Sequence, residues 1–181
     1  MTARELRERF DDVHTHGRTG PRLLTSVEPR EARDGEAGQA WYSVGIHPWS
    51  TAAHIPDDDF RLLEEAVDDP RVAAIGECGL DALRGGCAEY QEAVFRRHVE
   101  LSERAGMPLI VHCVRRYGRI IELRRELKPL QSWIIHGFRG KPELARQLLA
   151  AGFDISLGHD APPVLEAIIP AGRLFRESDC S

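Results

Sequence analysis

Short apolar runs alternate with stretches of helical spacing along the 181 residues, and this alternation constrains the fold more than any other feature. The runs RFDDVH, RLLTSV, WYSVGI, RVAAIG, MPLIVH, QSWIIH, GFDISLG and GRLFRES have the length and apolar content of strands. The segments DFRLLEEAVDD, AEYQEAVFRRHVELSERA, RIIELRRELK, PELARQLLAA and PPVLEAII place apolar residues three and four apart, and Gly106, Gly152 and Gly172 fall where those helices should stop. A strand followed by a helix, repeated, builds a parallel sheet with helices outside. Eight such strands predict a closed TIM-type (β/α)8 barrel rather than an open doubly wound sheet.

The helical jacket of that barrel is expected to be cut down. Only GRTGP separates the first strand from the second, EPREARDGEAGQA is too polar and Gly-rich for a buried helix, and the sequence stops about three residues after strand eight. Outer helices should therefore be missing or shortened after strands 1, 2 and 8. The bare flank would be covered by the N-terminal TARELRERF, by a second subunit of a homo-oligomer, or by sequence beyond this chain. The chain reads as a single domain over 1–181.

A formal charge of −5 argues against the broad basic face of a sequence-specific DNA-binding protein, while leaving room for a local cationic patch or a bound metal. The N-terminal stretch is too charged for a secretion signal, and no apolar run nears membrane-spanning length. Cys78, Cys87, Cys113 and Cys180 lie too far apart for a CxxC site. A cytoplasmic protein with reduced thiols and no membrane contact is the expectation.

Residues with metal-ligating chemistry recur where strands end, the edge at which barrel enzymes gather their functional groups. His14 and His16 end the first run, and the i, i+2 spacing on a strand turns both rings to one face. Glu77 follows RVAAIG, His112 follows MPLIV, His136 follows QSWII and Asp179 follows GRLFRES. Six ligands exceed one tetrahedral zinc, whereas several imidazoles with two carboxylates suit two divalent ions sharing one carboxylate, for which Glu77 is the choice. Zinc, manganese, magnesium and iron are not distinguished. A single buried histidine is more often a hydrogen-bonded core group, and His54, His98 and His159, away from strand ends, are read as surface or structural. Cys78 and Cys113 each follow a ligand and should face the covering helices. The acidic run 57–59 reads as a helix start.

The motifs HTH, VGIHPW, AIGECGLD, PLIVHC, IIHGFRG and FRESD, in this order, resemble the TatD-like deoxyribonuclease family of metal-dependent hydrolases. The resemblance implies that His14, His16, Glu77 and Asp179 hold one ion, that Glu77 reaches a second with His112 and His136, and that His47 contacts substrate phosphate. It further implies phosphodiester hydrolysis at single-stranded DNA ends in the 3′ to 5′ direction, with Glu77 and Asp179 catalytic. Arg115 and Arg139 are candidate phosphate contacts, and Trp49 is either a base-stacking face, with Tyr117 a second, or core packing. Two departures stand out. Val114 occupies the place where the family commonly has arginine, with Arg115 or Arg116 the substitute, and the late motif reads ESDCS without the family's closing helix. Two other readings remain: a barrel hydrolase of a small phosphoester, lactone or amide, and a non-catalytic metal- or partner-binding module.

Overall fold

The computed structural model describes residues 1–34, 40–55 and 57–179. Eight strands, β1 (Asp12–Thr15), β2 (Leu23–Val27), β3 (Trp41–Val44), β4 (Val72–Asp81), β5 (Leu109–Val114), β6 (Trp133–Ile135), β7 (Asp154–Gly158) and β8 (Leu174–Glu177), pair in sequence order, every pair parallel. β8 lies against β1, so the sheet curls into a nearly closed barrel. Around it run α1 (Ala3–Arg9), α2 (Pro29–Arg33), α3 (Asp57–Ala66), α4 (Ala88–Ala105), α5 (Tyr117–Leu127), α6 (Pro142–Ala150) and α7 (Pro163–Ile168). No helix follows β1 or β8 among the described residues, and the one after β2 has five residues. α3 opens on Asp57, Asp58 and Asp59, as the acidic run predicts. Residues 35–39, within the segment expected to lack a buried helix, and Cys180 lie outside the described residues.

Alternation along the strands sorts the residues into two layers. Val44, Ile75, Leu109, Val111, Ile135, Ile155 and Leu157 face outward and pack with Phe95, Val99, Ile120, Leu123, Leu148 and Leu165 of the helices; Cys78 and Cys113 belong to this layer. A second apolar cluster takes Val13, Leu24, Ala73, Ala74, Ile110, Ile134 and Phe175 from six strands. Residues on six strands of one barrel can meet only inside it. Two positions further along the same strands come His112 after Ile110, His136 after Ile134 and Glu177 after Phe175. The interior is thus apolar at the N-terminal end and lined by histidines and carboxylates at the C-terminal end.

Three expectations need correction. The N-terminal segment does not cover the flank formed by β8, β1 and β2. Thr2 and Glu5 cap α1 reciprocally, and its buried Leu6, with Phe10 just beyond, joins the inner apolar cluster; α1 therefore plugs the N-terminal mouth of the barrel. Burial of each such side chain contributes roughly 1.5–3 kcal/mol. The flank itself is polar: Arg18 donates to Ser178 Oγ at 2.6 Å, Ser178 donates to Asp12, and Thr25 donates to the Arg18 carbonyl at 2.6 Å. Among the described residues, the exposed large apolar ones, Trp49, Leu83, Leu130 and Val164, lie elsewhere. Second, Gly106 does end α4 in a left-handed conformation and Gly152 has a positive φ just after α6, but α7 is stopped by Pro170, which holds Ile169 extended, and not by Gly172.

Third, Glu77 sits inside a strand rather than at its end. Ile75 pairs with Leu109 and Cys78 with Val111, so three steps along β4 match two along β5, and the extra residue re-aims the chain at Glu77. The Gly76–Glu77 peptide is cis. Gly76 (φ +130) and Gly79 (φ +151) flank this bulge, and a Cβ on either would overlap a carbonyl oxygen of β5, that of Ile110 or of His112. The glycines of GECG are therefore a packing requirement. Gly79→Ala should lower stability by more than about 1 kcal/mol, measured as a drop in denaturant midpoint; an unchanged midpoint would contradict this close approach.

Candidate metal centre

Glu77 projects from the bulge into the C-terminal mouth, where it is 5% exposed and meets histidines on both oxygens. His14 Nε2 lies 3.1 Å and His16 Nε2 3.6 Å from Oε2. On Oε1, His112 Nδ1 and His136 Nε2 lie at 2.6 Å and His47 Nε2 at 3.0 Å. Asp179 Oδ1 is 3.9 Å from His16 Nε2, and His14, His136 and Asp179 each bring a ligand atom within 4.8 Å of the others. All six expected ligands therefore converge, with His47 beside them. β1, β4 and β5 carry His14, Glu77 and His112; His16, His136 and Asp179 follow β1, β6 and β8 by one or two residues.

The donor set fits a metal. An ionised carboxylate oxygen accepts and never donates, yet three imidazole nitrogens crowd Oε1, and both ring nitrogens of buried His14 and Nδ1 of buried His136 lack a hydrogen-bond partner among the described residues. Nitrogens left bare in a dry site await a cation. Burial raises the Glu77 pKa, but the charge of His136 and the imidazoles of His112, His136 and His14 set against its oxygens outweigh it and hold the carboxyl well below its usual range. Burial and the charge of His136 lower His14. Burial also acts to lower His136, but Glu77 and Glu177 lift it well above an ordinary imidazole. Glu77 and Glu177 thus favour positive charge at this point, which a metal ion would supply.

A cavity of about 480 Å³ opens over the cluster, lined among others by His47, Trp49, Glu77 and Asp179. Trp49 is a wall of this cavity and not core: it is 44% exposed, its indole N–H donates to Asp81 Oδ2 at 2.7 Å, and the Arg84 guanidinium lies 4.3 Å from its ring centroid. Tyr117 instead packs against Phe138 in the outer core. Arg115, in a left-handed conformation, and Arg139 are exposed beyond β5 and β6 and are not among the cavity's lining residues.

Sequence reading missed several groups. Glu28 and Glu31 line the cavity, Glu28 Oε1 accepting from Ser50 Oγ at 2.5 Å. Glu177, 1% exposed, accepts from the Gly137 N–H at 2.6 Å and faces His136 Nδ1 at 3.8 Å. Asp81 stands 3.1 Å from His112 Nε2. The signal for Glu177 was its i, i+2 step from Phe175; Glu28, Glu31 and Asp81 carried none.

The sequence profile described as TatD related DNase matches residues 19–180. The chain belongs to this family. The match begins just after His14 and His16, which the barrel nevertheless carries to Glu77. A curated relative named 3'-5' ssDNA/RNA exonuclease TatD from Erwinia billingiae is 30% identical over 172 residues, covering 89% of this chain and 65% of the relative. One of the same name from Klebsiella pneumoniae is 30% identical over 189 residues, covering 96% and 69%. The chain spans about two thirds of the length of these TatD relatives. Among solved structures, the TatD homologue YjjV from Escherichia coli superposes with a TM-score of 0.77 at 22% identity, covering 94% of this chain and 79% of that one. A TatD family hydrolase from Entamoeba histolytica gives 0.69 at 24%, covering 88% and 61%.

His98 anchors the backbone beside this TatD-type centre. On α4 and fully buried, it accepts from the Ile46 N–H through Nε2 at 2.9 Å, and Nδ1 lies 2.8 Å from the Val94 carbonyl, so the neutral ring fixes the residue before His47. Burial lowers its pKa from 6.5 to about 4. The unfolded chain takes up that proton first, so the stabilisation is complete above pH 6.5 and is lost as pH falls toward 4. In metal-free protein, His98→Gln should flatten the loss of stability across this window by up to roughly 3 kcal/mol, read from denaturant midpoints; equal slopes in both proteins would contradict it.

Proposed function

We propose that this chain is a metal-dependent phosphodiesterase that removes nucleotides from the 3′ ends of single-stranded DNA. The observation that carries the reading is Glu77, whose two oxygens face two separate sets of ligands. His14, His16 and Asp179 with Oε2 would hold one divalent ion, and His112 and His136 with Oε1 a second. Bound there, the ions would lower the pKa of a water and neutralise charge growing on phosphate oxygens. Zinc, manganese and iron suit this imidazole-rich set better than magnesium.

The chain's own groups divide the remaining work. Asp179, partly exposed and facing the cavity, is placed to orient the attacking water and take its proton. His47 accepts the Trp49 backbone N–H at Nδ1, at 3.1 Å, so its ring proton resides on Nε2. That Nε2–H faces Glu77 Oε1 at 3.0 Å from the cavity wall, where it would turn to a bound phosphate oxygen. The open face of Trp49 offers a stacking surface for a base, and Arg84 puts positive charge beside it, while Glu28 and Glu31 make the β2 side acidic; Arg115 and Arg139, outside the cavity lining, would reach only the phosphates of a longer strand. Single strands are favoured because an unpaired base can leave its stack to reach such a surface. No helix among the described residues is long and apolar enough to cross a membrane. We assign the protein to the cytoplasm on the unpaired thiols of Cys78, Cys87 and Cys113.

Oligonucleotides labelled at the 3′ or the 5′ end, incubated with manganese-loaded protein, test the reading. Wild type should release label first from 3′-labelled single strands, and Glu77→Gln should lose more than about 100-fold of that activity. Full metal-dependent activity in Glu77→Gln would overturn the two-ion assignment. Turnover confined to small phosphoesters, lactones or amides would replace the nuclease with the small-substrate hydrolase, and loaded protein turning over none of these would be a metal-holding module. Trp49→Ala should raise KM for single-stranded DNA about 5- to 150-fold, the equivalent of roughly 1–3 kcal/mol of lost stacking; an unchanged KM would show that the exposed indole is no stacking face.

A further inference from the structure

One carboxylate oxygen serves two groups with different tasks at this mouth. Asp81, the last residue of β4, uses Oδ2 to accept from the Trp49 indole N–H at 2.7 Å, and the same oxygen lies 3.1 Å from His112 Nε2. Oδ1 accepts from the backbone N–H groups of Leu83 at 2.7 Å and Arg84 at 3.1 Å, which holds the turn leaving the strand. The side chain is 2% exposed, and four donors converge on it, the surroundings of an ionised carboxylate.

Such a carboxylate only accepts, and Glu77 Oε1 on the other side of the ring already has Nε2 of His136 at 2.6 Å and Nε2 of His47 at 3.0 Å to donate to it, so the ring proton of His112 is assigned to Nε2, toward Asp81. The opposite nitrogen, Nδ1, then turns a bare lone pair toward Glu77 Oε1, 2.6 Å away. Two lone pairs that close repel unless a cation is near both. Imidazoles that ligate metals commonly donate their remote N–H to a carboxylate, which fixes the tautomer and raises the basicity of the ligating nitrogen.

We infer that Asp81 is a positioning residue that locks His112 in its ligating tautomer and, through the same oxygen, ties that ligand to the Trp49 wall of the cavity. The inference rests on the metal reading of the centre. It also separates two roles within one side chain: Oδ1 shapes a turn, and Oδ2 sets the chemistry of His112.

Asp81→Asn distinguishes those roles. The amide oxygen keeps the two backbone donors of the turn, and the amide NH2 group replaces Oδ2, so a donor confronts the donors of His112 and Trp49. His112 must then carry its proton on Nδ1 to accept at Nε2, which leaves no lone pair toward Glu77. The imidazole nitrogens of metal-free, 15N-histidine-labelled protein report this directly by two-bond 1H–15N correlation, with His112 assigned by the signals missing in His112→Asn. Wild type should show His112 protonated at Nε2 and Asp81→Asn at Nδ1, the Trp49 indole N–H should shift, and zinc affinity by competition titration should fall about 10- to 100-fold.

A wild-type His112 protonated at Nδ1, a tautomer unchanged in Asp81→Asn, or an undiminished zinc affinity would each overturn the inference. Should Asp81→Asn fail to reach the wild-type circular dichroism spectrum, the wild-type tautomer decides alone. Wild-type protein that takes up no metal would remove the functional reading instead, and the tautomer measurement would still decide the role of Asp81.

Discussion

A buried carboxylate with imidazoles on both of its oxygens is the interaction on which this structure depends. Removing a charge from water is expensive unless partners replace its hydration, and Glu77, 5% exposed, has no arginine or lysine among the partners that hold it. Its partners are histidines from β1, β5 and the ends of β1, β3 and β6, which only a closed arrangement of strands can bring to one point. The apolar floor beneath, plugged by Leu6 and Phe10, keeps water out from below. The bulge of β4, with Gly76 and Gly79 pressed against β5, aims the carboxylate. Floor, bulge and ligands form one device in which packing sets the electrostatics.

The outer groups extend this device by one layer. Asp81 stands behind His112, Glu177 behind His136, and His98 behind the backbone of Ile46. Asp81 holds the His112 ring and His98 the strand end at hydrogen-bond distance, while Glu177 puts negative charge behind His136. This gives the mouth an asymmetry. Trp49, with the Arg84 guanidinium over its ring, makes one side aromatic and basic, while Glu28 and Glu31 make the other acidic. A polyanionic strand crossing the mouth is drawn to the basic side.

How much of this was legible follows from what is local. The apolar alternation of β5 and the helical spacing of α4 are properties of contiguous residues, and the barrel follows from repeating them. His112 and His136 were legible for the same reason, since each continues the inward face of its strand. Glu77 was legible as a member of the cluster but not as a mid-strand residue, because a bulge is defined by the register with β5 and leaves no local pattern. Asp81 read as the end of a motif, and its partners, Trp49 and His112, lie 32 and 31 residues away. The place of α1 was hidden because its buried Leu6 and the Phe10 that follows show an apolar face without showing which surface it meets. Arg115 and Arg139 were sought for their charge, and charge alone does not place a flexible side chain in a cavity wall.

Anomalous diffraction from crystals grown with manganese would locate ions at the Glu77 carboxylate itself. Two peaks should appear, one beside each of its oxygens, the first near His14, His16 and Asp179 and the second near His112 and His136. A map with no peak at Glu77, or with manganese bound only elsewhere, would contradict the two-ion centre.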